Sequence, residues 1–320
     1  MSYRLKKSKR VGDDVRRLVR EQVDKAAERL AAHNGARDEA IHDARVCFKN
    51  IRAALRLVRD PLGGKFGEEN IFYRDLGRRL SEVRNNVALL EAFAKLKERY
   101  GDQLAPGALT AQRRPLAASN ARQSREKAKA VAEVGRSMNA ARRRIANWPL
   151  PNNGFGSVAP GLRRPYKQGR RQFAVACDDP TVANLHEWRK RVKDLWYQIR
   201  LVEKIWPEGM KELAGETEKL GDYLSDHHDL ALLRETAADH AQENKDESPQ
   251  VETFLALIDQ RRAELRVEAR LLGERVYAEK PSAFVARLNA YWNAWRAEPK
   301  SKPAAAHADE RGAAATSISG

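Results

Sequence analysis

Along most of the chain, apolar side chains return every three or four residues, the period of a helix with one buried face. Ile41, Ala44, Phe48, Ile51, Leu55 and Val58 make one such stripe, and Leu185, Trp188, Val192, Leu195, Ile199 and Val202 make another. Val15, Val19, Val23, Ala26 and Leu30 mark an earlier helix. No stretch shows the strict alternation or dense β-branching of a strand, so the pattern predicts an all-α chain.

Breakers and caps divide the pattern into elements. A first helix, capped by Asp13 or Asp14, runs to about Ala32, and a second stops near Asp60-Pro61, before Gly63-Gly64. A third covers about Glu68 to Arg99, with Gly101 at its end, and a fourth about Thr110 to Trp148, interrupted near Pro115. Pro149 to Pro160 reads as a linker. The second half repeats the plan over Leu162 to Cys177, Thr181 to Trp206, Gly209 to Glu243 and Gln250 to Ala278; Pro281 breaks the last helix and Ser282 to Trp295 continues it. The expected organisation is a basic N-terminal segment (1–12), a four-helix repeat (13–148), the linker (149–160), a second four-helix repeat (161–297) and a disordered tail (298–320).

The two halves share more than helices. His42 and His186 are 144 residues apart, and so are the segments Leu76-Gly-Arg-Arg-Leu80-Ser81 and Leu220-Gly-Asp-Tyr-Leu224-Ser225, and Trp148 and Trp292. Anchors that keep step in this way predict a duplicated supersecondary unit. A basic stripe was copied with it, about 100° around the axis from each apolar stripe. The first reads His42, Arg45, Lys49, Arg52, Arg56, Arg59, with no acid; the second reads His186, Arg189, Lys193, Trp196, Arg200, Glu203, with Lys190 beside it. Like charges one turn apart oppose the helix by about 0.2–0.5 kcal/mol per pair. A nearly pure cationic stripe beside a core stripe therefore points to a polyanion that neutralises it, against the plainer account of a solvated Arg-rich face.

Composition agrees. The 320 residues carry a net charge of +16, a sequence pI of 9.9, 42% hydrophobic and 32% charged side chains, enough for a real core and a strong preference for anionic partners. Cys47 and Cys177 have no CxxC spacing, which fits reduced thiols in a cytoplasmic protein. No apolar run follows the charged N-terminus as a secretory signal would require, and prolines and glycines break the uncharged stretch from Ile145 to Leu162 too often for a membrane span.

The paired motifs resemble the CHAD family, the conserved histidine α-helical domain. They are His-x-x-Arg-x-x-x-Lys on a helix, twice, each followed by Leu-Gly-x-x-Leu, and the resemblance runs from about Asp13 to Trp295, closest over Gly161 to Leu195. It implies two four-helix bundles related by a pseudo-twofold axis, with a basic central groove that binds inorganic polyphosphate. It also implies association with polyphosphate granules and recruitment of a polyphosphate-handling enzyme, since some members are fused to triphosphate-tunnel enzymes. By position, the implied polyphosphate-binding residues are His42, Arg45, Lys49, Arg52, Arg56, His186, Arg189, Lys190, Lys193 and Arg200, with Arg20 and Arg164 as additions from the first helix of each half; Tyr166, Arg170 and Arg171 are further candidates. The chain departs from the family's later Arg-Asp: the first half has Arg84-Asn85 and the second His228-Asp229. With Trp196 in place of a basic residue, this makes unequal binding by the two halves an expectation. The chemistry suits the ligand: Arg offers forks to phosphate oxygens, Lys a point charge and His a titratable donor, and the binding should depend strongly on salt.

Two other classes compete. Ser225-Asp226-His227-His228-Asp229, with His186, is loosely similar to a helical metal-dependent phosphohydrolase, but Val83, Arg84 and Asn85 at the matching positions are not ligands, and a polar helix turn accounts for the cluster. No phosphate-binding loop or His-Glu-x-x-His is present, and Glu216-Thr-Glu218-Lys219 misses the triphosphate-tunnel pattern, so neither a catalytic domain nor a cofactor is expected. Nucleic acid satisfies the charge equally, at least for weak binding. Against it, Trp188, Trp206 and Trp292 keep core spacing; only Trp196 stands on the basic stripe. An acidic protein partner is a weaker third reading.

Overall fold

The computed structural model describes residues 3–7, 10–31, 37–81, 85–103, 120–150, 154–244 and 248–299. Among them the chain forms eleven α-helices and no strand. They are α1 (Val11–Ala31), α2 (Arg37–Leu57), the short α3 (Arg59–Leu62), α4 (Lys65–Ser81), α5 (Asn85–Tyr100), α6 (Asn120–Ala146), α7 (Ala159–Asp178), α8 (Val182–Leu201), α9 (Pro207–Asn244), α10 (Pro249–Val276) and α11 (Pro281–Ala297). The expected interruption near Pro115, the middle of the expected linker and the tail from residue 300 lie outside the described residues.

Every apolar position singled out by periodicity is buried, in α1, α2 and α8 alike. Boundaries differ where local chemistry overrides the pattern. Neither Asp13 nor Asp14 caps α1, which begins earlier, at Val11. Asp14 is buried, accepts the Lys6 N–H at 2.5 Å and pairs with Arg17 at 2.6 Å, so it anchors the N-terminal segment instead. The second helix ends at Leu57, and Asp60-Pro61 falls in α3, which Gly63 closes with a φ of +55°, a backbone shape that glycine adopts without strain. The helix expected from Glu68 to Arg99 is two, α4 and α5.

That division changes the packing. α4 stays with α2 and α6; Arg144 of α6 pairs with the buried Glu69 at 2.9 Å and lies 3.9 Å over the Phe72 ring. α5 instead packs against α9 and α10 of the second half, where Ala92, Phe93, Leu96 and Tyr100 join Leu230, Leu233, Phe254 and Ile258 in a second apolar cluster.

The two helices with basic faces, α2 and α8, touch each other. Gln198, wholly buried, donates to the Ala53 carbonyl at 2.8 Å, and Arg56 Nη2 meets Asp194 Oδ1 at 2.9 Å. The N-terminal segment straps this junction. The Tyr3 hydroxyl donates to the Asn50 carbonyl, the Leu5 N–H donates to the Leu201 carbonyl at 2.8 Å, and Arg4 pairs with buried Glu203 at 2.7 Å. Tyr3 and Leu5 are buried, so a segment that reads as merely basic is part of the core.

Candidate anion-binding site

α2 and α4 enclose a groove of about 290 Å3. Arg45, Lys49 and Arg52 enter it from α2, three and four residues apart and thus on one face. Arg74 and Arg78 enter from α4, one turn apart, and no carboxylate is among the lining residues. The guanidinium of Arg52 is aimed by its Nε, which donates to Asn70 Oδ1 at 3.0 Å. Beside the groove, Arg74 Nε donates to Asp75 at 2.8 Å. Burial, and then the nearby Arg56, Arg74 and Arg78, push the Arg52 pKa down, with Asp194 opposing. Such crowding of cations is relieved by an anion in the groove.

The second half differs. Arg189 Nε donates to Ser225 Oγ at 3.0 Å, and that hydroxyl donates to the Gly221 carbonyl at 2.6 Å. Burial lowers the pKa of both Arg189 and Lys193, while Asp229 opposes at Arg189 and Asp222, Asp229 and Asp226 oppose at Lys193. Burial raises the pKa of Asp222 and Asp229. Lys95 of α5 reaches Asp226 at 2.7 Å. At the offset of 144, Arg74 and Arg78 correspond to Glu218 and Asp222. α9 therefore brings acids to the positions where α4 brings arginines, and acids of α9 oppose the effect of burial at Arg189 and Lys193.

His186 and His228 lie side by side, ring centroids 4.5 Å apart, and their buried Nδ1 atoms have no hydrogen-bond partner. Burial, then Arg189 and Lys190, hold the His186 pKa below its ordinary value. Burial, then Arg189, His186 and Lys193, push His228 down to about 4. His227 turns away towards Arg262 and Arg266 of α10 and is also pushed to about 4, chiefly by burial. The residues of the phosphohydrolase alternative, His227, His228 and Asp229, thus face different neighbours. Among the described residues, no three His, Cys, Asp or Glu side chains are placed to hold a metal ion.

Other expected site residues take up separate positions. His42 is exposed on α2. Arg56 is engaged by Asp194, and Arg200 lies 4.6 Å over the Trp196 ring. Lys190 pairs with Glu187 on the outer side of α8. Arg20 is exposed on α1, and Arg164 pairs with Asp60 at 2.9 Å; neither lines the α2–α4 groove. Of the tryptophans with core spacing, Trp188 and Trp292 are buried but Trp206 is 46% exposed. It lies in the turn between a 3-10 segment and α9, outside the phase of either helix, with its ring edge-on to Tyr291.

Arg74 and Arg78 are the groove residues that reading along the sequence missed. Arg78 lies inside the Leu76-Gly-Arg-Arg-Leu80 segment that marks the repeat, so the signal was on the page as a spacing. Only the crossing of α4 against α2 gives it a place.

Fold and site define an all-α protein whose two basic-faced helices touch each other. The CHAD domain matches residues 17–238, and the chain belongs to that family. The match begins in α1 and ends within α9, so it takes in both basic faces but not α10 and α11. No curated protein matches the chain.

Proposed function

We propose that the protein binds inorganic polyphosphate, without turning it over, at the basic faces of two units related by a pseudo-twofold axis, with the principal groove inside the first unit. One observation carries the reading: the α2–α4 groove, with five cations and no carboxylate among its lining residues. A polymer with about one negative charge per phosphate matches a row of Arg and Lys and releases condensed counterions when it binds. Membership of the CHAD family supports the same ligand. The first half is the principal site, because Asp222, Asp226 and Asp229 stand near Lys193 in the second and would repel a polyanion there. Association with cytoplasmic polyphosphate granules and recruitment of a polyphosphate-handling enzyme follow from the same reading.

The test is a competition titration near ~0.15 M salt. Labelled polyphosphate is displaced by unlabelled polymer, single-stranded RNA or duplex DNA, with and without magnesium, from the wild type and from an Arg45→Glu/Arg78→Glu variant. The reading requires preference for polyphosphate, intact recovered polymer and loss of binding in the variant. Undiminished affinity in the variant would sink the groove, equal displacement by RNA would make it a general polyanion face, and magnesium-dependent loss of polymer would restore the phosphohydrolase.

A further inference from the structure

We propose a second anion groove, on the outer side of α7, that takes another stretch of the same kind of polymer. The ligand class rests on the reading above; the groove is a separate feature. It has a volume of about 720 Å3 and shares no lining residue with the α2–α4 groove. Arg59 of α3 enters it from one side, and Arg163, Lys167 and Arg171 of α7 from the other.

Arg163, Lys167 and Arg171 follow a step of four, so they stand in one row about 12 Å long. All three are exposed, and none makes an ion pair among the described residues. The one acid that lines the groove, Asp60, is held by Arg164 at 2.9 Å. The row is therefore uncompensated.

The frame behind the row is fixed. A Cβ on Gly161 would lie 2.1 Å from the Leu57 carbonyl oxygen, so α7 crosses the end of α2 at a distance only glycine permits. The Arg164–Asp60 pair ties α7 to α3. The Arg59 guanidinium rests over the Phe66 ring, 4.9 Å from its centroid. Charges held in place before the ligand arrives cost less ordering on binding.

The lining also selects the ligand. Apart from the charged residues it consists of Gly156, Ala159, Pro160, Gln168 and Val285, with no aromatic side chain. Bases would find no stacking platform there, whereas phosphate oxygens suit guanidinium forks. With two such grooves, one chain holds two stretches of polymer and cross-links separate polymer molecules.

Calorimetric titration of the full chain with tripolyphosphate at low salt tests this. The variants are Arg163→Glu/Lys167→Glu/Arg171→Glu for the outer groove and Arg45→Glu/Arg74→Glu/Arg78→Glu for the inner one. We expect two equivalents bound by the wild type and one by each variant. Long polyphosphate should make the wild type scatter light as cross-linked assemblies form, and the outer variant should not. Two equivalents on the outer variant, or a single wild-type equivalent removed only by the inner variant, overturns the second groove and leaves the first. A single equivalent removed only by the outer variant does the reverse, and no binding by the wild type sinks both. Displacement from the outer groove by an equal charge of single-stranded RNA overturns the choice of ligand.

Discussion

Arg56 of α2 places Nη2 2.9 Å from Asp194 Oδ1 of α8, an ion pair that joins the two basic-faced helices with 23% and 22% of the side chains exposed. The acid that ties the helices together also holds a cation of the first stripe. Asp194→Asn should therefore lower stability by about 1 kcal/mol, the upper end for a partly exposed pair, and tighten polyphosphate binding by freeing Arg56. Urea unfolding and the titration read the two effects; weaker binding would mean that the pair organises the site.

The same reasoning applies to the acids of α9. Asp222 and Asp229 sit among the charges around Lys193. Asp222→Asn/Asp229→Asn should raise affinity for polyphosphate, and Arg189→Glu in that background should cost more than in the wild type. Unchanged affinity in the double variant would show that the second cluster lies off the binding path.

Salt dependence counts the contacts. If the five groove cations each meet a phosphate, log affinity should fall with log salt with a slope of about −3.5, from roughly 0.7 per contact for a single-stranded polyanion. Arg78→Ala should flatten it by about 0.7. An unaltered slope would remove Arg78 from the contact set.

His227 couples folding to pH. Its folded pKa is depressed from an ordinary 6.5 to about 4. Below pH 6.5 the unfolded chain takes up this proton first, so the stabilisation is complete above 6.5 and is lost as pH falls towards 4. The full effect is about 3 kcal/mol. The stability curve of His227→Asn should lack this slope, and parallel curves would assign the acid sensitivity to other groups.

Gly161→Ala places a methyl group against the Leu57 backbone, which cannot swing aside as a side chain can. The expected loss is about 1–3 kcal/mol, seen as a lower urea midpoint. A neutral result would mean that α7 can lift from α2, which would also loosen the outer groove.

Much of this was legible in the chain itself. The apolar stripe from Ile41 to Val58 and its counterpart from Leu185 to Val202 are buried residue for residue, because helical period and burial are one constraint. The basic residues of α2 were legible for the same reason: Arg45, Lys49 and Arg52 share a face in any helix. Trp206 shows where this ends, since spacing carries no information once the chain leaves the helix.

By itself, then, the sequence determined the helices, their buried faces, the offset of 144 and the sign of the charge, all properties of short stretches and of composition. Only the tertiary structure decided which charges meet. It set Arg74 and Arg78 of α4 opposite the basic face of α2, acids of α9 around Lys193, Asp194 against Arg56 and the N-terminal strap across both helices. Helical periodicity fixes a side chain's direction from its own axis, whereas its neighbours depend on how helices distant in sequence cross, and electrostatic interaction depends on that separation.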